Sequence, residues 1–160
     1  MKKSCVVFGS SMGNTEEAAI LIASKLGISD IFNIADIDAS KLNEYEALIV
    51  GSSTWGSGDL QDDWDNFDFD SLEVEGKTVA LFGLGDSAGY SDSFCDAIGV
   101  LSEKFSQKGA VLIGQVDTNA PAKVSHSVSP RLMVSHVVPS IAFWHFLTAS
   151  HACTYDVILV

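Results

Sequence analysis

Three short loops carry the residue types that can do chemistry. The first, Gly9-Ser10-Ser11-Met12-Gly13-Asn14-Thr15, sets small hydroxyl residues and glycine just ahead of a helix start. Unpaired backbone N–H groups and the positive end of a helix dipole attract an anion at such a place. The loop has no Lys or Arg, which excludes an ATP-type phosphate loop with its GK[ST] ending. A phosphate monoester held by N–H and hydroxyl donors remains, and the plainer alternative is an ordinary helix cap by Asn14 or Ser11. The second loop, Ser52-Ser53-Thr54-Trp55-Gly56-Ser57-Gly58, puts an indole among small residues at a strand tip. An aromatic placed there offers a stacking surface to a flat ligand, unless it folds back over an adjacent helix. The third, Gly83-Leu84-Gly85-Asp86-Ser87-Ala88-Gly89-Tyr90, adds a second aromatic face in Tyr90 and polar contacts from Asp86 and its neighbouring amides. Its lone GxG start is too weak for a dinucleotide fingerprint. The three loops together describe a phosphate at one end and a planar ring between Trp55 and Tyr90 at the other.

The elements that must position these loops alternate between strand and helix patterns. Apolar runs at Cys5–Phe8, Ile28–Ile34, Ala47–Val50, Thr78–Phe82 and Ala110–Ile113 read as five strands. Asn14 opens a helix with acids in its first turn and Gly27 as its stop, and Phe94–Phe105 has helical period with Gly109 after it. Such alternation predicts an α/β fold, a doubly wound parallel sheet whose ligand sits outside the carboxyl ends of the strands. The three loops follow strands one, three and four.

Composition narrows the function classes. The 160 residues carry 9 Lys+Arg against 21 Asp+Glu, a net charge of −12, which argues against nucleic acid as a partner. Nothing in the chain reads as a membrane-inserting segment or as an N-terminal signal. Three scattered cysteines, without a CxxC pair, suit a reducing cytoplasm better than a disulfide framework or a zinc site.

Three ordered motifs give the chain a specific resemblance. Gly9-Ser-Ser-Met-Gly-Asn-Thr15, then Thr54-Trp-Gly56 with Leu60-Gln-Asp-Asp-Trp64, then Phe82-Gly-Leu-Gly-Asp86 with Gly89-Tyr90 and Asp92-Ser-Phe94, resemble a flavodoxin over about residues 2–118. The resemblance implies a five-stranded parallel sheet of order 2-1-3-4-5 and non-covalently bound FMN at the switch in strand order. It implies that Ser10, Ser11, Gly13, Asn14 and Thr15 hold the FMN phosphate, with Met12 contributing its backbone N–H. The family usually has a hydroxyl residue at that last position, and losing the donor weakens binding by about 1 kcal/mol. Ser52, Ser53 and Thr54 are implied to line the ribityl chain, and Trp55 and Tyr90 to flank the isoalloxazine. Leu84, Gly85, Asp86, Ser93 and the Cys95 backbone are implied to meet the pyrimidine edge and nearby ring.

The implied function is that of a low-potential electron carrier cycling through quinone, semiquinone and hydroquinone, not an enzyme with its own substrate. Gly56 lacks a Cβ and takes positive φ cheaply, so its peptide is free to flip its carbonyl toward the ring. Residues 59–75 hold Asp59, Asp62, Asp63, Asp65, Asp68, Asp70, Glu73 and Glu75 with no base among them. Beyond the bland reading of a solvated face, this run opposes a second electron on the flavin. Each charge contributes roughly 0.4 kcal/mol at about 10 Å in water. The same field steers redox partners with basic surfaces, namely flavin or iron–sulfur reductases and acceptors. A monomer is the expectation. The alternatives are an FMN-dependent reductase of quinone-like acceptors and a remnant that binds no flavin.

The resemblance stops near Thr118. Residues 1–118 carry 20 acids against 7 bases and all 13 glycines, whereas 119–160 carry one acid and two bases with all four histidines and all three prolines. We therefore divide the chain into a flavin-binding domain, 1–118, and a divergent segment, 119–160. A shift of reading frame near Asn119 is the expected origin, with a genuine divergent ending as the rival. The four histidines, 126, 136, 145 and 151, lack tight ligand spacing. A genuine ending leaves apolar surface exposed beside the first helix, because the family's final helix is missing.

Overall fold

The structure, a computed structural model, describes residues 2–85, 93, 95–113, 132–134 and 156–159. Its elements are β1 (Ser4–Gly9), α1 (Asn14–Leu26), β2 (Ile31–Asn33), α2 (Ala39–Asn43), β3 (Ala47–Trp55), β4 (Asp59–Leu60), α3 (Asp62–Asp65), β5 (Thr78–Gly85), α4 (Asp96–Gln107), β6 (Val111–Leu112), β7 (Leu132–Val134) and β8 (Asp156–Leu159). The five strands expected from sequence are β1, β2, β3, β5 and β6. They pair in parallel, β2 on β1, β1 on β3, β3 on β5 and β5 on β6, which is the anticipated order.

Two antiparallel pairings add to this five-stranded parallel sheet. β4 returns antiparallel along the end of β3, pairing Thr54 with Leu60 and Trp55 with Asp59. The tail supplies β8, antiparallel to β5 from Phe82 to Gly85, and β7 beside it. The β5 edge is thus shared: β6 takes Thr78 and Val79, and β8 takes the half nearer the loops. β8 and β7 lie in the segment set apart at 119–160, whose other residues, the four histidines included, fall outside those described.

Strand boundaries shift for local reasons. Ile28 does not join β2, because its N–H bonds to the Ala23 carbonyl and closes the end of α1. Ile34 turns inward in a 3-10 turn, Ile34–Asp36, capped by the Asn33 side chain. α4 begins at Asp96 rather than Phe94, which lies outside the described residues, and Cys95 precedes it at φ 59°. The Ala110 N–H bonds to the Phe105 carbonyl and that of Gly109 to Ser106, so α4 ends in the motif expected of a trailing glycine.

The sheet separates two apolar layers. One face packs Val6, Phe8, Ile49 and Phe82 under Ala18, Ala19, Ile22 and Ala23 of α1. The other packs Cys5, Val7, Leu48, Val50 and Leu81 against Trp64, Ile98, Leu101 and Phe105. Cys5 is sealed in this second layer, and burial pushes its thiol up to about 12, too high for a nucleophile. No helix among the described residues is long and apolar enough to cross a membrane.

Candidate cofactor site at the carboxyl ends of the strands

β1, β3 and β5 run side by side and release their loops at the same end of the sheet. Between β1 and β3 the chain order reverses, which is where an open α/β sheet leaves a crevice.

The first loop is held by its own residues. The Ser10 hydroxyl accepts the Gly13 N–H at 3.0 Å, and Gly13 turns the chain into α1 at φ 87°, a value glycine adopts without strain. Neither Asn14 nor Ser11 caps the helix: Gly13 occupies the cap position and no side chain bonds there. The anion-attracting end of α1 is therefore not closed by its own sequence. Met12 is 74% exposed. Thr15 is only 1% exposed, and its Oγ1 has no hydrogen-bond partner. Thr54 Oγ1, in β3 beside the crevice, is a second buried hydroxyl without one. A buried polar atom left unpaired costs about 1–3 kcal/mol, so two at one site call for an explanation.

The second loop is a hairpin tip. The Gly58 N–H bonds to the Trp55 carbonyl at 3.0 Å, and Gly56 sits at φ 54° inside the turn. Positive φ at Gly56 is what the sequence anticipates, and a Cβ there would lie 2.5 Å from the Asp59 carboxylate. Trp55 does not fold back into a core. It stays 43% exposed, and its indole N–H donates to the Ser53 hydroxyl at 3.0 Å. Ser53 thus steadies the ring, and buried Ser52 donates to the Ser53 carbonyl. Of the three residues assigned to the ribityl side, Ser52 spends its proton on the backbone, Ser53 accepts from the indole and keeps its proton, and Thr54 Oγ1 has no partner.

The third loop is described in part. β5 ends at Gly85, Leu84 turns its side chain into the core under α1, and Cys95 is buried at the start of α4. Leu84 can offer a ligand its backbone alone. Ser93 is half-buried. Asp86 and Tyr90 lie outside the described residues.

Two residues to which sequence reasoning assigns no role bind these loops together. Trp64 is fully buried, and its indole N–H donates to the Gly51 carbonyl at 2.8 Å. Gln61, 2% exposed, reaches Ser11 across the crevice wall. Their signal in sequence is Gly9 at the end of β1. A Cβ on Gly9 would lie 2.4 Å from Gln61 Oε1 and 2.6 Å from Trp64 Cδ1.

Charge is distributed by pole. All seven lysines among the described residues (Lys2, Lys3, Lys25, Lys41, Lys77, Lys104, Lys108) lie where strands begin or helices end, away from the crevice. Some are spent on local acids there, Lys3 pairing with Glu44 at 2.9 Å. That pairing, with Lys41, holds the Glu44 carboxyl below its ordinary range. At the crevice end Asp59, Asp62, Asp63 and Asp65 follow the hairpin without a lysine between them. The Ser71 hydroxyl holds the Asp68 carboxyl below its usual range. Among the described residues no group of His, Cys, Asp and Glu is arranged to hold a metal ion.

A doubly wound α/β sheet with neutral donors, an uncapped helix start and an exposed indole at its switch point defines a mononucleotide-binding protein of the open-sheet class. A family model described as Flavodoxin matches residues 6–128, and the chain belongs to the flavodoxin family. It is 43% identical over 134 residues to a flavodoxin of Picosynechococcus, covering 81% of this chain and 77% of that one. It is 44% identical over 119 residues to a flavodoxin of Synechococcus elongatus, covering 71% and 70%. Among solved structures, oxidised flavodoxin 1 of Bacillus cereus is 35% identical with TM-score 0.63, covering 71% of this chain and 80% of that one. A Fusobacterium nucleatum flavodoxin bound to flavin mononucleotide is 25% identical with TM-score 0.68, covering 75% and 74%. The family match runs ten residues past Thr118, where the composition changes.

Proposed function

We propose that this chain binds FMN non-covalently in the crevice and serves as a low-potential electron carrier, not as an enzyme with a substrate of its own. The observation that carries the reading is the pair of orphaned hydroxyls, Thr15 Oγ1 and Thr54 Oγ1, which an anionic, polyhydroxylated ligand would satisfy. Ser10, Ser11, Gly13, Asn14 and Thr15 hold the phosphate, with the Met12 backbone. Ser52, Ser53 and Thr54 line the ribityl chain, Ser53 mainly by fixing Trp55. Trp55 and Tyr90 cover the ring, and Leu84, Gly85, Asp86, Ser93 and Cys95 meet its edge. Bound FMN supplies the one- and two-electron redox chemistry. The polypeptide orients the ring, keeps water from the face under Trp55, and surrounds the site with negative charge. Gly56 already has the positive φ that leaves its peptide free to reorient toward the ring.

Titration of the apoprotein with FMN tests this. Flavin emission is expected to be quenched at micromolar protein, and undimmed emission overturns the reading. The acids favour a partner with a basic surface, and we take it to be a flavin or iron–sulfur protein met by a monomer in the cytoplasm. Asp62→Asn with Asp65→Asn, both exposed, should flatten the fall of the partner association rate with ionic strength. A salt dependence equal to that of the wild type assigns those charges to solvation alone.

A further inference from the structure

We propose that Gln61 is a positioning residue for the phosphate loop: its side-chain amide orients the Ser11 hydroxyl as a donor toward the phosphate of FMN. The inference rests on the functional reading above and adds a residue outside the crevice lining.

Every polar atom of the Gln61 side chain is assigned. Oε1 accepts the Asp63 N–H at 3.0 Å, and Nε2 donates to Asp63 Oδ2 at 2.7 Å and to Ser11 Oγ at 3.4 Å. Reversing the amide would set its NH2 against the Asp63 N–H and its oxygen against a carboxylate, so one orientation alone satisfies the site. That orientation decides what Ser11 can do. A hydroxyl has one proton, and a hydroxyl that accepts from an amide keeps that proton to give away. Ser11 thereby faces the crevice as a donor, the polarity an anion requires.

The wall behind Gln61 fixes it in place. Gly9 leaves the notch its Oε1 fills, and Trp64 is pinned to the Gly51 carbonyl within the same turn. Capping alone does not account for a glutamine here. Gln61 precedes a helix of four residues, where Ser, Asp or Asn caps better with a shorter side chain. The additional length carries the amide to a loop 50 residues earlier in the chain.

Riboflavin separates positioning from architecture, because it is the same ring and chain without the phosphate. Apoproteins of the wild type, Gln61→Met, Gln61→Glu, Ser11→Ala and the double variant Ser11→Ala/Gln61→Met are titrated with both flavins. Gln61→Met should weaken FMN about tenfold and leave riboflavin within about twofold. Gln61→Glu keeps the cap on Asp63 but loses the donor and adds a charge, so its FMN loss should be larger, again with riboflavin spared. The double variant should bind FMN no more weakly than Ser11→Ala, since Gln61 acts through that hydroxyl. Equal losses for the two flavins, losses that multiply in the double variant, or an unchanged FMN affinity each overturn the proposal. Should Gln61→Met bind neither flavin, Gln61→Glu decides by the same comparison. A wild-type protein that fails to quench FMN sinks the functional reading itself, and is distinguishable from all of these.

Discussion

Thr15→Val should make the apoprotein more stable and FMN binding weaker. Valine replaces threonine with little change of volume, so the substitution removes one hydroxyl from a site that is 1% exposed. No protein group pairs with that hydroxyl, and its loss from the apoprotein should raise the unfolding free energy by about 1 kcal/mol or more. On the proposed reading it donates to the phosphate in the complex, a bond worth about 1.5–3 kcal/mol, and its loss should weaken FMN roughly ten- to hundredfold. Urea denaturation of the apoprotein and fluorescence titration read the two effects separately. A fall in apoprotein stability would mean that Thr15 Oγ1 is already satisfied. An unchanged FMN affinity would remove it from the site.

Trp64→Ala should have the largest effect on stability, a loss of about 3–5 kcal/mol in urea midpoint analysis at unchanged m-value. The ring lies under Phe69 at 6.0 Å and 27° and meets Phe67 and Phe105 edge-on, so its removal opens a cavity lined by aromatic rings. Trp64→Phe separates packing from the bond to Gly51: it keeps an aromatic ring and should cost the smaller part, about 1–2 kcal/mol. A loss below about 1 kcal/mol for alanine would show that the layer collapses around the gap and that α3 is not anchored there.

What was legible from sequence is what depends on local patterns. Alternating strands and helices set the parallel order, and that order put the three loops at one end of the sheet. Gly27 and Gly109 are visible as helix stops because a left-handed residue must follow each helix. What was not legible depends on partners far along the chain. A hydroxyl in a loop looks available to a ligand, yet Ser52 gives its proton to the backbone and Ser53 spends its acceptor side on the Trp55 indole. Leu84 reads as a loop residue although its side chain belongs to the core under α1. β4 is too short to show a period, and β8 runs against the direction of β5, which alternation does not encode. Gln61 and Trp64 were visible only as letters of a motif. Their purpose depends on the empty place at Gly9, and such a hole becomes apparent only when the strand is laid beside α3.

Among the described residues, lysines at one pole and carboxylates beside the crevice give the domain the sense of a compass needle. A cationic body that comes within about a Debye length, roughly 10 Å, exerts a torque on it before any surfaces meet and turns the crevice toward the visitor. Most collisions then begin in a usable orientation, so the brief lifetime of each meeting is not wasted on tumbling. Carriers that must let go quickly gain speed this way without gaining grip.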